Sequence, residues 1–145
     1  MNFQSVITPN ITIADQPTEA DLAELKSHGY QGVVNLRTSG EPDQPLNPDA
    51  EGKLAEELGL DYLHVGVGGN GLNPDDLTRF VKFLEDRHDS KVLVHCRKGG
   101  RAAALVLIQQ IRVNGWSAQE AFDKGAKLGL NVDGGLRAMV ERFMA

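Results

Sequence analysis

Four short apolar runs punctuate the chain, "NITIAD" at 10–15, "GVVNL" at 32–36, "DYLHVGV" at 61–67 and "KVLVHC" at 91–96. The last three are each followed by a stretch with helical signals. Runs this short and rich in β-branched residues read as buried strands. Consecutive strands separated by a helix are joined by right-handed crossovers to parallel neighbours. The pattern predicts an α/β fold: a mostly parallel central sheet with helices on both faces. A length of 145 residues suits one such domain, taken as residues 1–145. No internal repeat and no linker rich in Pro, Gly or Ser divides it.

The helices carry their own punctuation. Thr18 and Asp21 form a capping-box pattern ahead of Leu22 and Leu25, and Gly29 ends that segment. Asn47-Pro48 and Asn73-Pro74 place proline at a first helical position. After the second pair, Leu77, Phe80, Val81 and Leu84 fall on one helical face. The stretch from Arg101 to Asn114 is apolar nearly all round, which marks a central helix stopped by Gly115. Ser117 with Glu120 caps the next helix, and a last one follows "DGG" over about Leu136–Phe143.

Ligands of parallel sheets bind at the carboxyl ends of the strands. The loops after Leu36, Val67 and His95 are therefore expected to meet at one edge, and the loop after His95 reads "CRKGGRAA". Taken alone, a lone cysteine after a strand is a small core residue. Here it stands between a strand end and a helix start, where unpaired amides and the helix dipole attract anions. Positive charge on Arg97, Lys98 and Arg101 favours the thiolate, which is the nucleophilic form. Gly99 and Gly100 let the backbone approach a ligand, and Arg101 offers a planar fork to two oxygens of an oxyanion. The parts make a nucleophile at the base of an anion-binding cup.

Composition narrows the partners. A formal net charge of −5 argues against a general nucleic-acid binder. No apolar run approaches the roughly 20 residues of a membrane span. The N-terminal "MNFQSVITPN" lacks the basic start and long apolar stretch of a secretory signal, and a single cysteine forms no internal disulfide. The expected location is the cytoplasm. Four scattered histidines without ligand spacing predict no metal, and no cofactor motif is present. The expected partner is a small anionic or phosphorylated substrate.

"VHCRKGGRAA" resembles the signature loop of the cysteine-dependent protein tyrosine and dual-specificity phosphatases. "ADQPTEADLAELKSHGYQGVVNLR" resembles the beta-lactamase-hydrolase-like branch of that superfamily, with its Gln-Pro-Thr before a helix and its "NLR" strand end. The likeness runs from about Ile11 to the last helix. It implies a phosphatase-like hydrolase acting through a phosphocysteine. Cys96 is then the nucleophile and Arg101 the phosphate-binding arginine. His95 tunes the thiolate, and the amides from Arg97 to Gly100 cradle oxygens. The phosphatase loop has one more residue between cysteine and arginine than Arg97-Lys98-Gly99-Gly100 provides. The shorter spacing matches the Cys-Arg-x-Gly-x-Arg loop of rhodanese-type sulfurtransferases, whose cysteine carries a persulfide. A non-catalytic anion-binding module is the third reading.

The general acid is expected from one of two loops. In "GGNGLNPDD", Asp75 and Asp76 lie at a helix start, where favourable interaction with the dipole is the alternative role. After "NLRTSG", Glu41 and Asp43 can reach the cup, or remain solvated. Arg37 either binds substrate or pairs with Glu41. Loop 37–47, with Gly40, Pro42 and Pro45, reads as a mobile lid. His64 reads as a core histidine, His28 and His88 as helix-end residues, and Trp116 as a packing anchor.

Overall fold

The computed structural model describes residues 1–68, 71–130 and 132–143. Gly69 and Asn70, part of the glycine-rich loop considered for the general acid, lie outside the described residues. The strands are β1 (Gln4–Thr8), β2 (Ile11–Ala14), β3 (Tyr30–Asn35), β4 (Asp61–His64) and β5 (Lys91–His95). They form one sheet in the order β1-β2-β5-β3-β4. β2, β5, β3 and β4 run parallel, and β1 closes the edge as an antiparallel partner of β2. The α/β reading holds, with β1 as an addition that "QSVIT" did not announce: the strand is too weakly apolar, and its Val6 is 60% exposed.

The helices are α1 (Glu19–Leu25), α2 (Pro48–Glu57), α3 (Pro74–Asp86), α4 (Gly100–Asn114), α5 (Ala118–Lys127) and α6 (Gly134–Phe143). The caps are the expected ones. Thr18 and Asp21 complete a capping box, as do Ser117 and Glu120. Asn47 and Asn73 each accept a first-turn amide ahead of a proline. Gly29 and Gly115 end their segments with φ of 86° and 70°. On α3 the buried stripe is Leu77, Phe80, Phe83 and Leu84, with Val81 at its margin. No helix among the described residues is long and apolar enough to cross a membrane.

Period-two alternation sorts the strand side chains onto two faces. Ile11, Ile13, Val34, Leu36, Val92, Val94 and Cys96 join the core that contains α3, α4, α5 and α6. Ala14, Tyr30, Val33 and Leu93 belong to the smaller core with residues of α1 and α2. α4 runs through the larger core with nine consecutive buried residues, Ala102 to Gln110, in keeping with its apolar sequence. Trp116 packs at the margin of the same core. Beyond β4, the amides of Val65 and Val67 still donate to the carbonyls of Asn35 and Leu36, at 3.0 and 2.9 Å. The extended path thus continues to Val67, as its sequence suggested. It delivers the loops after Leu36, Val67 and His95 to one edge.

Candidate active site

β5 ends by sending two adjacent side chains to opposite faces. Cys96 enters the α4 side and is 1% exposed, while His95, fully buried, enters the α2 side. Between Cys96 and α4 the chain turns through Arg97, Lys98 and Gly99, and Gly100 opens the helix. Gly99 takes φ 103°, and its amide donates to the Cys96 sulfur at 3.0 Å. Any side chain there meets two obstacles. The left-handed backbone disfavours it, and a Cβ would stand 2.7 Å from the Phe3 ring. The first-turn amides of α4 have no intrahelical acceptor and are free to face the same mouth. The sulfur is therefore buried but not packed in hydrocarbon alone: it sits on a main-chain donor at the start of a helix.

Arg101, in the first turn of α4, does not reach out to water. Its Nη1 donates to Glu41 Oε2 at 2.8 Å and to the Val67 carbonyl at 2.9 Å, and its Nη2 donates to Glu41 Oε1 at 2.8 Å. This bidentate pair raises the affinity of Arg101 for its proton. Burial opposes that shift, and the nearby Cys96 sulfur adds to it. Glu41 also accepts from the Thr38 amide at 2.6 Å, the Thr38 hydroxyl at 2.9 Å and Arg37 Nε at 3.1 Å. Arg101 foremost, against burial and with help from Thr38 and Arg37, holds the Glu41 carboxyl far below the usual carboxylate range. So held, Glu41 is ionised, whereas its expected role as proton donor requires the protonated form. Held by two guanidiniums, it is an anchor for Arg101.

Arg37 is 0% exposed, and its donors are used within the protein. Besides Glu41, it reaches Gln16 Oε1 at 2.8 Å, the Asp43 carbonyl at 3.3 Å and the Pro42 carbonyl. Of its two expected roles, pairing with Glu41 is the one present in the structure. The same bonds pin the expected lid. Gln44 joins Thr38 and Gly40, and Asp43, at φ 57°, pairs its carboxylate with Arg97 Nη2 at 2.6 Å. Lys98 is exposed, and a cavity of about 560 Å³ opens beside it, bounded by Arg97, Asp43, Gln44, Asp15 and Thr18.

Asp75 is set apart. It is exposed on the first turn of α3, where its amide donates to the Asn73 cap at 2.8 Å, and Asp76 pairs with Arg79 at 2.9 Å. The dipole role suffices for both. His64 ends β4, half-buried, with Nε2 at 2.6 Å from the Arg37 carbonyl. It supports the loop, as a structural histidine would. His28 lies in a short 3₁₀ turn and His88 bonds the Glu85 carbonyl beyond α3. Among the described residues no cluster of His, Cys, Asp and Glu could hold a metal.

The sequence reading missed the groups behind His95. His95 Nε2 lies 2.7 Å from Glu51 Oε2, a carboxylate 1% exposed, and Gln16 Nε2 donates to the other oxygen at 3.0 Å. A signal was available. Pro48, Glu51, Gly52 and Ala55 form the buried stripe of α2, so Glu51 is a charge standing where an apolar residue belongs. Gly52 lets α2 settle there, since a Cβ would come within 3.0 Å of the Tyr62 ring.

A cysteine on an amide at a helix mouth, with an arginine braced alongside, is accompanied by a direct match in sequence. Residues 3–113 match the family described as beta-lactamase hydrolase-like protein, phosphatase-like domain. The chain belongs to this family. A beta-lactamase hydrolase-like protein of Xylella fastidiosa (strain Temecula1) is 35% identical over 106 residues, covering 72% of this chain and 24% of that protein. The chain thus spans about a quarter of the length of that relative. Among solved structures, PTPMT1 superposes with a TM-score of 0.82 at 21% identity, covering 98% of this chain and 94% of the other. The DUF442 protein of Shewanella putrefaciens CN-32 gives 0.76 at 22%, covering 97% and 89%. The fold is that of the protein tyrosine and dual-specificity phosphatases, and the chain is a phosphatase-like domain.

Proposed function

We propose that this domain hydrolyses phosphate monoesters through a phosphocysteine intermediate on Cys96. The observation that carries the reading is the sulfur itself, accepting the Gly99 amide at 3.0 Å at the mouth of α4, with Arg101 anchored next to it. The thiolate attacks phosphorus, an S–P bond forms, and the ester P–O bond breaks. The transferred phosphoryl oxygens meet the amides from Arg97 to Gly100 and the Arg101 guanidinium, which stabilise charge without reorganising. Water then attacks phosphorus, the S–P bond breaks, and phosphate leaves with the thiolate restored.

The leaving oxygen needs a proton or must carry its charge away. Glu41 is held ionised by Arg101, and Asp75 is exposed on α3. This favours esters whose leaving group departs unaided, so aryl phosphates and phosphotyrosine are expected to exceed phosphoserine. Such a thiolate fits a reducing compartment, the cytoplasm by this reading.

The test is turnover of an aryl phosphate beside phosphotyrosine and phosphoserine peptides, with a quenched sample weighed for phosphate on Cys96. Saturable turnover that Cys96→Ser abolishes supports the proposal, and turnover surviving in Cys96→Ser overturns it. One observation favours a second reading, persulfide transfer: Cys96 to Arg101 keeps the spacing Cys-Arg-x-Gly-x-Arg. It predicts thiosulfate-to-cyanide activity and one added sulfur on Cys96 in place of phosphate.

A further inference from the structure

A buried histidine–carboxylate contact behind the nucleophile has no role in the chemistry above. His95 is fully buried, and each of its ring nitrogens faces an acceptor. Nε2 is 2.7 Å from Glu51 Oε2, and Nδ1 is 3.4 Å from the carbonyl oxygen of Cys96. A carbonyl can only accept, and an ionised carboxylate can only accept. Burial disfavours the charge on Glu51, but the His95 hydrogen bond and charge, with the Gln16 amide, outweigh it and keep the carboxyl below its ordinary range. With Glu51 ionised, this geometry is satisfied when His95 donates from both nitrogens. An imidazolium this deep in a protein persists only beside a countercharge.

We propose that Glu51 is a positioning residue for the Cys96 thiolate, acting through His95. The inference rests on the reading of Cys96 as the nucleophile. By holding the second proton on His95, Glu51 makes the ring donate to the Cys96 carbonyl. In a planar trans peptide the carbonyl and the following N–H point in opposite directions. Tying the Cys96 oxygen to the α2 side therefore turns the Arg97 amide towards the other side, where the sulfur lies. Doubly protonated, the ring also adds a positive charge on the residue next to Cys96. Both effects favour the thiolate over the thiol.

The surrounding groups support the pair rather than compete with it. From the loop before α1, Gln16 bridges Glu51 to the guanidinium of Arg37, at 3.0 and 2.8 Å. From β4, Tyr62 donates to the Pro48 carbonyl at 3.0 Å and accepts from Asn35 of β3. Burial, and next the charge of Glu51, push its hydroxyl pKa up, with a smaller part from Asp49, so Tyr62 stays neutral beside the pair. Tyr30 of β3 is bonded to Thr12 of β2 at 3.0 Å. On the α4 face the charges near the sulfur are Arg101 and its partner Glu41.

The chain contains one cysteine, so the ultraviolet absorbance of its thiolate against pH, with Cys96→Ser subtracted, reads Cys96 alone. In the full chain, Glu51→Gln is expected to raise the midpoint by about one pH unit, roughly tenfold less thiolate at a fixed pH below it. His95→Asn is expected to raise it similarly, and the double variant no further than His95→Asn alone. An unchanged midpoint in a cooperatively folding Glu51→Gln protein overturns the proposal, as does a shift that adds to that of His95→Asn. Should Glu51→Gln fail to fold, ring-nitrogen NMR shifts of His95 in the unaltered protein decide. Two protonated nitrogens at neutral pH support the proposal, and one overturns it. These measurements use no substrate. A shifted midpoint with no phosphate-ester turnover would overturn the phosphatase reading and leave Glu51 in its assigned role.

Discussion

The two faces of the sheet end very differently at the functional edge. On the α4 face the strands finish in Leu36 and Val94, with Cys96 beside them in the larger hydrophobic core. On the α2 face the same strand ends carry Asn35, Arg37 and His95, all buried, against Glu51. One face is held by packing, whose strength scales with the area removed from water. The other is held by hydrogen bonds between charged and polar groups, which contribute little net until one partner is removed. All buried side-chain nitrogens and oxygens among the described residues have a partner. The difference teaches where precision resides. The apolar face loses stability by degrees, with the size of the cavity a truncation leaves. The polar face must be complete, and it is the face that orients the loop and arginines around the sulfur.

The largest expected effect tests the cup directly. Arg101→Ala should cut aryl phosphate turnover by about 10³-fold in steady-state kinetics, because it removes a preorganised donor to the phosphoryl oxygens. Arg37→Ala asks whether the polar face is as brittle as argued. Removing this fully buried side chain takes one partner each from Glu41 and Gln16 and the donor of the Pro42 and Asp43 carbonyls, and should lower the unfolding free energy by about 3–5 kcal/mol in a denaturant titration. Leu107→Ala does the same for the apolar face, through a cavity beneath α4, with a loss of about 2–4 kcal/mol and a smaller loss of turnover. If Arg37→Ala costs no more than a surface change, within about 0.5 kcal/mol, the contrast between the faces fails.

Smaller effects sharpen the contrast by pH. Arg101 foremost depresses the folded-state pKa of Glu41, so the group adds stability above its unfolded value and loses it as pH falls through the depressed one. The thermal midpoint of the unaltered protein should therefore decline on the acid side of the ordinary carboxylate range, and Glu41→Gln should flatten that decline. Smallest of all, Val6→Thr on the exposed edge strand should shift stability by no more than about 0.5 kcal/mol, measured in the same way.

Much of this protein is legible in the order of its residues. Strand and helix periods, the Asn-Pro and capping-box starts, and the glycine stops are local signals, and each predicts an element that the fold contains. The Cys96 to Arg101 loop is equally local, because a strand end, two glycines and a helix start are consecutive along the chain. What tertiary structure decided are pairings across long separations. Glu41 closes on Arg101 and Glu51 on His95, 60 and 44 residues apart. A carboxylate looks alike in sequence whether it donates a proton, anchors a guanidinium or faces water. Only the groups that packing brings beside it set its charge, and with it the task it can perform.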